Sequence, residues 1–305
     1  MSPNAPGVGV VIATHNRPAL MRRALTSVLD QEYDGPIEVA LVFDRNEPDD
    51  DLARETPGRS VKVLRNERTP GLAGARNTGV LSLDTELIAF CDDDDVWLPG
   101  KLSTQLRRFA AEPASEFVTT AMRVRYDERA TVRLAHKDHV TIADLARSRM
   151  AALHPSSFVF RREAMLHGFG LVDETIPNSM AEDWDLLIRA ARRRPIQHID
   201  EPLVDVQWGQ SSYFNQAWAD KNLAHEWLIN HHPEFRADRR GIGILLGKLA
   251  FGHAALGHRS AALGWARKAV RANWREPRTV IALLVTAGLP AGWVVEQLNR
   301  RGHGI

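Results

Sequence analysis

Four consecutive aspartates, Asp92-Asp93-Asp94-Asp95, stand between an apolar run, Leu87 to Cys91, and the segment Val96-Trp97-Leu98-Pro99. Carboxylates held this close repel one another, and a divalent cation relieves the repulsion. Hard oxygen ligands suit Mg2+ or Mn2+, so the run predicts a site for metal plus phosphate. An isolated acidic run is more often a solvated loop or a helix cap. The apolar flanks argue against that here, because they fix the run at the edge of a buried strand, where sheets of this kind bind ligands.

A second acidic cluster, Glu182-Asp183-Trp184-Asp185, opens a helical pattern that continues through Ala191. Acids in a first turn are favourable by about 0.3 to 1 kcal/mol, so capping alone would account for them. His231-His232-Pro233 has metal-binding atoms, but histidines in a helix-terminal loop are expected to be solvated. Cys91 has no second cysteine to pair with, which fits a reducing cytoplasm.

The elements that must position these residues alternate. Val8 to Ala13 reads as a buried strand that empties into Thr14-His15-Asn16-Arg17-Pro18, and a helix follows from Ala19 to the stop at Asp34-Gly35-Pro36. Ile37 to Phe43 and Val61 to Leu64 read as strands, Gly71 to Asn77 opens a small-residue helix, and Leu87 to Cys91 is the next strand. A helix near Lys101 to Ala111, a strand over Phe117 to Tyr126 and a strand at Phe158 to Phe160 follow, while Thr131 to Met150 is less legible. The alternation predicts an α/β fold with a mainly parallel sheet covered on both faces, its polar loops gathered at the carboxyl ends of the strands.

Beyond Phe214 the periodicity is helical, with alanine-rich segments at Leu245 to Leu256 and Ala261 to Ala272 whose spacing is similar to one tetratricopeptide repeat. Two units are expected: residues 1–213 as an α/β domain and residues 214–305 as a small helical region. Thr279 to Val295 is apolar but broken by Gly288, Pro290 and Gly292, and is too short to span a bilayer. It reads as a buried or interfacial helix pair, which leaves peripheral membrane contact open.

Composition sets outer limits. Hydrophobic residues make up 44% and charged residues 25%, so a core can form, and 39 basic against 38 acidic residues leave a net charge of +1, which gives no field for nucleic acid. Met1 to Gly7 has no cationic region ahead of an export-length apolar stretch. No signal peptide is expected, and a cytoplasmic protein is.

Five separated segments, in order, resemble the family-two glycosyltransferases. They are Val10 to Pro18, Gly71 to Gly79 with Ala75-Arg76-Asn77, Phe90 to Pro99 with the DXD segment, His154-Pro155-Ser156-Ser157 with Arg161-Arg162, and Glu182 to Asp185. The resemblance implies a GT-A-type, Rossmann-like fold and an inverting, metal-assisted transfer. The donor would be UDP-, GDP- or dTDP-linked, and the acceptor a glycan, a lipid-linked saccharide or a small molecule. It further implies that Thr14, Asn16, Asp44, Arg76, Asp92 and Asp93 bind the donor. Asp94 with Asp92 would hold Mg2+ or Mn2+, supported by Asp95, and Asp183, with Glu182 second, would be the general base. His154, Trp184 and Trp208 are further pocket candidates.

Two departures stand out. Strand two ends in Phe43-Asp44, with one acid where the family often has two, and Gln207 to Ser212 lacks the histidine many relatives place near the donor phosphates. They motivate an alternative, a donor-binding protein that has lost catalysis and acts through its helical tail. A haloacid-dehalogenase-like phosphatase, with Asp92 as nucleophile and Asp94 as acid/base, fits the spacing. None of the later lysines, Lys101, Lys137, Lys221, Lys248 and Lys268, has the required context.

Overall fold

A computed structural model of the chain describes residues 5–126, 129–208 and 217–300, except the side chains of Trp208, Asn299 and Arg300. These residues form two compact units. The first draws on Met1–Thr141, Met150–Glu174 and Leu186–Gln207, the second on Ile142–Arg149, Thr175–Asp185 and Trp208–Ile305.

The first unit opens with β1 (Val8–Thr14), α1 (Pro18–Leu29), β2 (Ile37–Phe43), β3 (Arg54–Thr56), β4 (Arg59–Arg65), α2 (Leu72–Ser82) and β5 (Leu87–Asp92). Strands β4, β2, β1 and β5 lie side by side and parallel. Parallel pairing needs a crossover between successive strands, and α1 and α2 supply one. The small residues of α2 serve close packing: a Cβ on Gly79 would overlap Val11 of β1, and one on Gly74 would overlap the Thr69 carbonyl.

Beyond β5 the sheet turns antiparallel. The chain continues through β6 (Val96–Trp97), α3 (Lys101–Ala111), β7 (Phe117–Tyr126), β8 (Arg129–Arg133) and β9 (His139–Val140), and after α4 (Ile142–Arg147) returns as β10 (Val159–Arg161) and the single turn α5 (Arg162–Ala164). The sheet order is β3-β4-β2-β1-β5-β10-β7-β11-β6, where β11 is Ile196–Trp208. β10 runs antiparallel to both β5 and β7. The sheet is therefore mixed, its parallel part ending where the crossover helices end. Phenylalanines join the two halves, with Phe90 edge-on to Phe160 and Phe117 edge-on to Phe158, each at 5.1 Å.

The sequence assigns no element between Ala191 and Phe214, yet β11 lies there. Asp200, Glu201, Pro202 and Asp205 interrupt its apolar pattern. Asp205 is compensated across the sheet, accepting two hydrogen bonds from Arg123 and one from Arg125 of β7.

The second unit holds α4, the first turn of α6 (Glu182–Arg193), α7 (Trp218–His231), α8 (Pro233–Ala237), α9 (Arg239–Ala255), α10 (Arg259–Ala272), α11 (Pro277–Thr286) and α12 (Ala291–Arg300). Its core is built on Ala250, Phe251, Ala262, Ala266, Ala282 and Val285. Gly257 and Gly288, at φ +77° and +123°, take the left-handed conformation that ends α9 and α11.

Residues 142–149 and 175–185 group with the later helices, so the division is not one cut near residue 213. Trp184 explains part of this. Its Nε1–H donates to the Leu145 carbonyl at 2.9 Å, and its ring meets Phe235 edge-on at 5.0 Å. Among the described residues no helix is long and apolar enough to cross a membrane.

Candidate active site

Strands β1, β2 and β5 end together, so Thr14, Asp44 and Asp92 are brought to one edge of the sheet by register alone. The four aspartates then turn back sharply, the Asp95 N–H donating to the Asp92 carbonyl at 3.1 Å. In such a turn the first and last side chains can converge while the middle two point elsewhere.

The contacts follow that geometry. Asp92, Asp95 and His154 place one ligand atom each within 4.8 Å of one another, a group of metal-ligating spacing among the described residues. Asp95 is 1% exposed and is held by the Ser156 hydroxyl at 2.5 Å and the Gln207 N–H at 3.3 Å, with His154 Nδ1 at 3.2 Å. Asp92 accepts a 2.6 Å hydrogen bond from Arg76. Its own backbone N–H donates to Ser156 Oγ at 2.9 Å, so one serine ties the Asp92 backbone to the Asp95 carboxylate.

Asp93 and Asp94 turn toward the loop after β1. Asp93 accepts from the Thr14 hydroxyl at 2.8 Å, and Arg17 reaches Asp93 at 3.3 Å and Asp94 at 2.9 Å. Burial raises Asp94, reinforced by the negative charges of Asp95, Asp92 and Asp93, and Arg17 does not offset them; its pKa is pushed up to about 7. Burial likewise raises Asp93, against the Thr14 hydrogen bond and Arg17. The sequence paired Asp94 with Asp92 on the cation, whereas the structure gathers Asp92 with Asp95 and His154 and puts Asp94 on Arg17.

Asp44 is buried and saturated: its Oδ1 accepts from Asn66 at 2.7 Å and from the Gly71 N–H at 3.0 Å, and Arg45 lies 3.0 Å from Oδ2. The carboxylate thus fixes the loop leading into α2. Asn16 is exposed at φ +54° and contacts His15, and helix α1 has no side-chain cap, so neither Thr14 nor Asn16 caps it. Arg17, Ser156, Asn66 and Arg149 complete these contacts. Arg17 and Ser156 lie in segments that carry the resemblance, but the sequence assigned no role to them, to Asn66 or to Arg149, because the partners they meet are distant along the chain.

Glu182 and Asp183 belong to the second unit. Arg149 meets both oxygens of Asp183, and the Trp184 N–H donates to Oδ1 at 2.6 Å. Glu182 is buried. The chain enters this turn through Asn178, Ser179 and Ala181, all with φ between 48° and 68°. Such residues cost about 1 to 3 kcal/mol each and collect at functional sites.

Two expectations are corrected. Trp184 is enclosed against Phe235 and Leu145, so it is core rather than a platform for a sugar. His232 is not solvated: it is buried, with Nε2 at 2.9 Å from Asp185 Oδ1, while His231 stacks on Trp227. The side chain of Trp208 and most of the segment to Ser212 lie outside the described residues.

Comparison with known proteins gives a consistent result. The family model described as glycosyl transferase family 2 matches residues 9–169, more than half of the chain. The chain is 28% identical over 242 residues to glycosyltransferase YwdF of Bacillus subtilis, covering 78% of this chain and 85% of that protein. It is 33% identical over 101 residues to WfgD of Escherichia coli, a UDP-Glc:alpha-D-GlcNAc-diphosphoundecaprenol beta-1,3-glucosyltransferase, covering 32% of this chain and 39% of that one. In fold it is similar to residues 1–349 of S. aureus TarS, solved in complex with UDP-GlcNAc. The TM-score is 0.61 at 16% identity, over 97% of this chain and 92% of the other.

Proposed function

This chain belongs to glycosyl transferase family 2 and is a glycosyltransferase, and from that premise we propose that it moves a sugar from a nucleoside-diphosphate-sugar donor to a hydroxyl acceptor, inverting the anomeric carbon. The convergence of Asp92, Asp95 and His154 where β5 leaves the sheet carries this reading. A similar fold holds UDP-GlcNAc in TarS, which favours a uridine nucleotide as first choice.

Two carboxylates and an imidazole form a donor set that fits Mn2+ or Mg2+. A cation there would supply charge neutralisation for the departing diphosphate. Arg76 orients Asp92, and Ser156 and Gln207 orient Asp95. Arg17, anchored on Asp93 and Asp94, offers a guanidinium at the rim for phosphate oxygens. Asp44 and Thr14 fix the loops that shape the nucleotide pocket.

In the second unit, Asp183 is the proposed base. It would remove the acceptor's hydroxyl proton as that oxygen attacks opposite the leaving diphosphate. Arg149 and the Trp184 N–H hold its carboxylate in one orientation. For the acceptor we extend to this chain what the name of WfgD states for that enzyme, a saccharide carried on a lipid diphosphate.

The outer side of α11 supports a membrane-facing role. Val280, Leu283 and Leu284 are exposed there, Trp274 before it is 71% exposed, and Trp293 after it is exposed too. Arg267, Lys268 and Arg271 of α10 and Arg275 ahead of α11 are exposed as well, and such cations complement anionic lipid headgroups.

Isothermal titration with a panel of nucleoside diphosphates, with and without Mn2+, tests the central reading. Cation-dependent binding of one nucleotide is expected; binding indifferent to Mn2+, or none, would remove it.

A further inference from the structure

Asp185 stands two residues after the proposed base, in the same first turn of α6. Its side chain is 1% exposed, and its Oδ1 lies 2.9 Å from Nε2 of His232, which is 2% exposed. An ionised carboxylate only accepts hydrogen bonds, so Nε2 is the donor. His232 occupies the corner where α7 ends and α8 begins. Burying a carboxylate this completely is costly unless its partner is well placed, so the corner and the start of α6 hold each other.

The same helices hold what surrounds Asp183. The Trp184 ring meets Phe235 of α8 edge-on at 5.0 Å, and its Nε1–H donates to the Leu145 carbonyl of α4. Ile176 and Met180, on the approach to α6, form a buried cluster with Ala224 of α7, against which Trp227 packs. Helix α4, just ahead of Arg149, is fixed on α9. Arg147 donates to Asp238 at 2.6 Å, and a Cβ on Gly241 would overlap the Ala146 carbonyl.

Two physical consequences follow. The left-handed conformations of Asn178, Ser179 and Ala181 persist only where the surroundings over-determine them, and α7, α8 and α4 supply those surroundings. Helical residues two apart point roughly 200° away from each other. A bond on Asp185 therefore sets the rotation of the turn from the side opposite Asp183, and with it the direction of the Asp183 carboxylate.

We propose that His232 is a positioning residue for the transfer reaction: through Asp185 it aims the carboxylate of Asp183, which makes the corner between α7 and α8 a requirement for turnover as well as for stability. The inference rests on the reading of Asp183 as base. It gives the helical region a part in the chemistry that contact with a membrane would not supply.

The test uses the full chain with the substrates in the name of WfgD, UDP-Glc and alpha-D-GlcNAc-diphosphoundecaprenol. His232→Ala is expected to lower kcat about 10- to 100-fold, the range for losing a partner that orients a functional ligand, with KM for UDP-Glc at the wild-type level. His232→Gln, whose amide N–H reaches the place of Nε2, should recover most of that loss. With Asp183→Asn already present, His232→Ala should cost nothing further, because groups that act as a unit are not additive. An unchanged kcat in His232→Ala, or a full multiplicative loss in the double variant, overturns the proposal. If Asp183→Asn turns over at the wild-type rate, the base reading falls and this proposal with it; if only His232→Ala does, this proposal falls alone. Should His232→Ala not fold, His232→Asn, too short to reach Asp185, must show the same loss in kcat, and a wild-type kcat there overturns the idea. Should the wild type not use that substrate pair, native-state hydrogen exchange decides. The Trp184 and Asp185 amides, both bonded to the Ala181 carbonyl, must then exchange about tenfold faster in His232→Ala while those of β1 stay unchanged; equal rates overturn it.

Discussion

Arg76 of α2 donates a 2.6 Å hydrogen bond to Asp92 at the end of β5, with its guanidinium 3% exposed and 5.1 Å from the Phe90 ring centre. An arginine so enclosed is fixed by its surroundings, and it fixes Asp92 in turn. The bond ties the small-residue helix to the acidic turn, two segments that the sequence presents as separate motifs.

Replacing this arginine should therefore act through the carboxylate. Arg76→Met leaves Asp92 without its partner in a half-buried place and should destabilise the protein by about 1 to 3 kcal/mol. It should also weaken Mn2+-dependent nucleotide binding. Chemical denaturation and titration calorimetry read the two effects, and a variant that binds nucleotide like the wild type would remove Arg76 from the site.

The turn geometry separates the aspartates. Asp95→Asn and His154→Ala should each weaken cation-dependent nucleotide binding by about 10- to 100-fold, the range typical of metal-site losses. Arg17→Met, which frees Asp94, should cost less than either. If Asp94→Asn abolishes cation dependence while Asp95→Asn leaves it intact, the ion belongs on Asp92 and Asp94, as the sequence motif implied.

Asp183 is tested by a split between binding and turnover. Asp183→Asn should lower the transfer rate by about 10^2- to 10^4-fold, the usual worth of a positioned base, with donor affinity unchanged. Transfer at the wild-type rate would assign the carboxylate to holding Arg149 only.

Glu174 gives a pH dependence whose sign is fixed. Burial alone would raise it, but hydrogen bonds from Asn77, Thr69 and Arg68 prevail and lower its pKa from 4.5 to about 2. Its contribution to stability is complete above 4.5 and disappears as pH falls toward 2. Unfolding free energy measured between pH 5 and pH 2 should fall less steeply in Glu174→Gln than in the wild type; identical slopes would show the carboxylate to be uninvolved.

For the outer side of α11, Val280→Ser with Leu284→Ser should reduce co-sedimentation with vesicles containing anionic lipid, and added salt should do the same to the wild type. Equal recovery of wild type and variant would mean that this face does not meet lipid.

Much of the fold is legible because it is local. Ile37 to Phe43 and Lys101 to Ala111 are read from periodicity to the residue, and an apolar run before four aspartates already places them at a strand end. β11 was hidden because Asp205, which interrupts its apolar pattern, is balanced by Arg123 and Arg125 on another strand, a compensation that no pattern within Ile196–Trp208 records.

The sequence by itself determined the family, the parallel first half of the sheet and the identity of the acidic run. Each follows from residue type and short spacing, which chain connectivity preserves. Tertiary structure decided which carboxylates converge, since the tight turn places Asp92 with Asp95 and a serine from another segment, Ser156, joins them. It also decided that Trp184 is core and that His232 serves Asp185. Those outcomes depend on which distant segments meet, and hydrogen bonding, burial and charge act through space rather than along the chain.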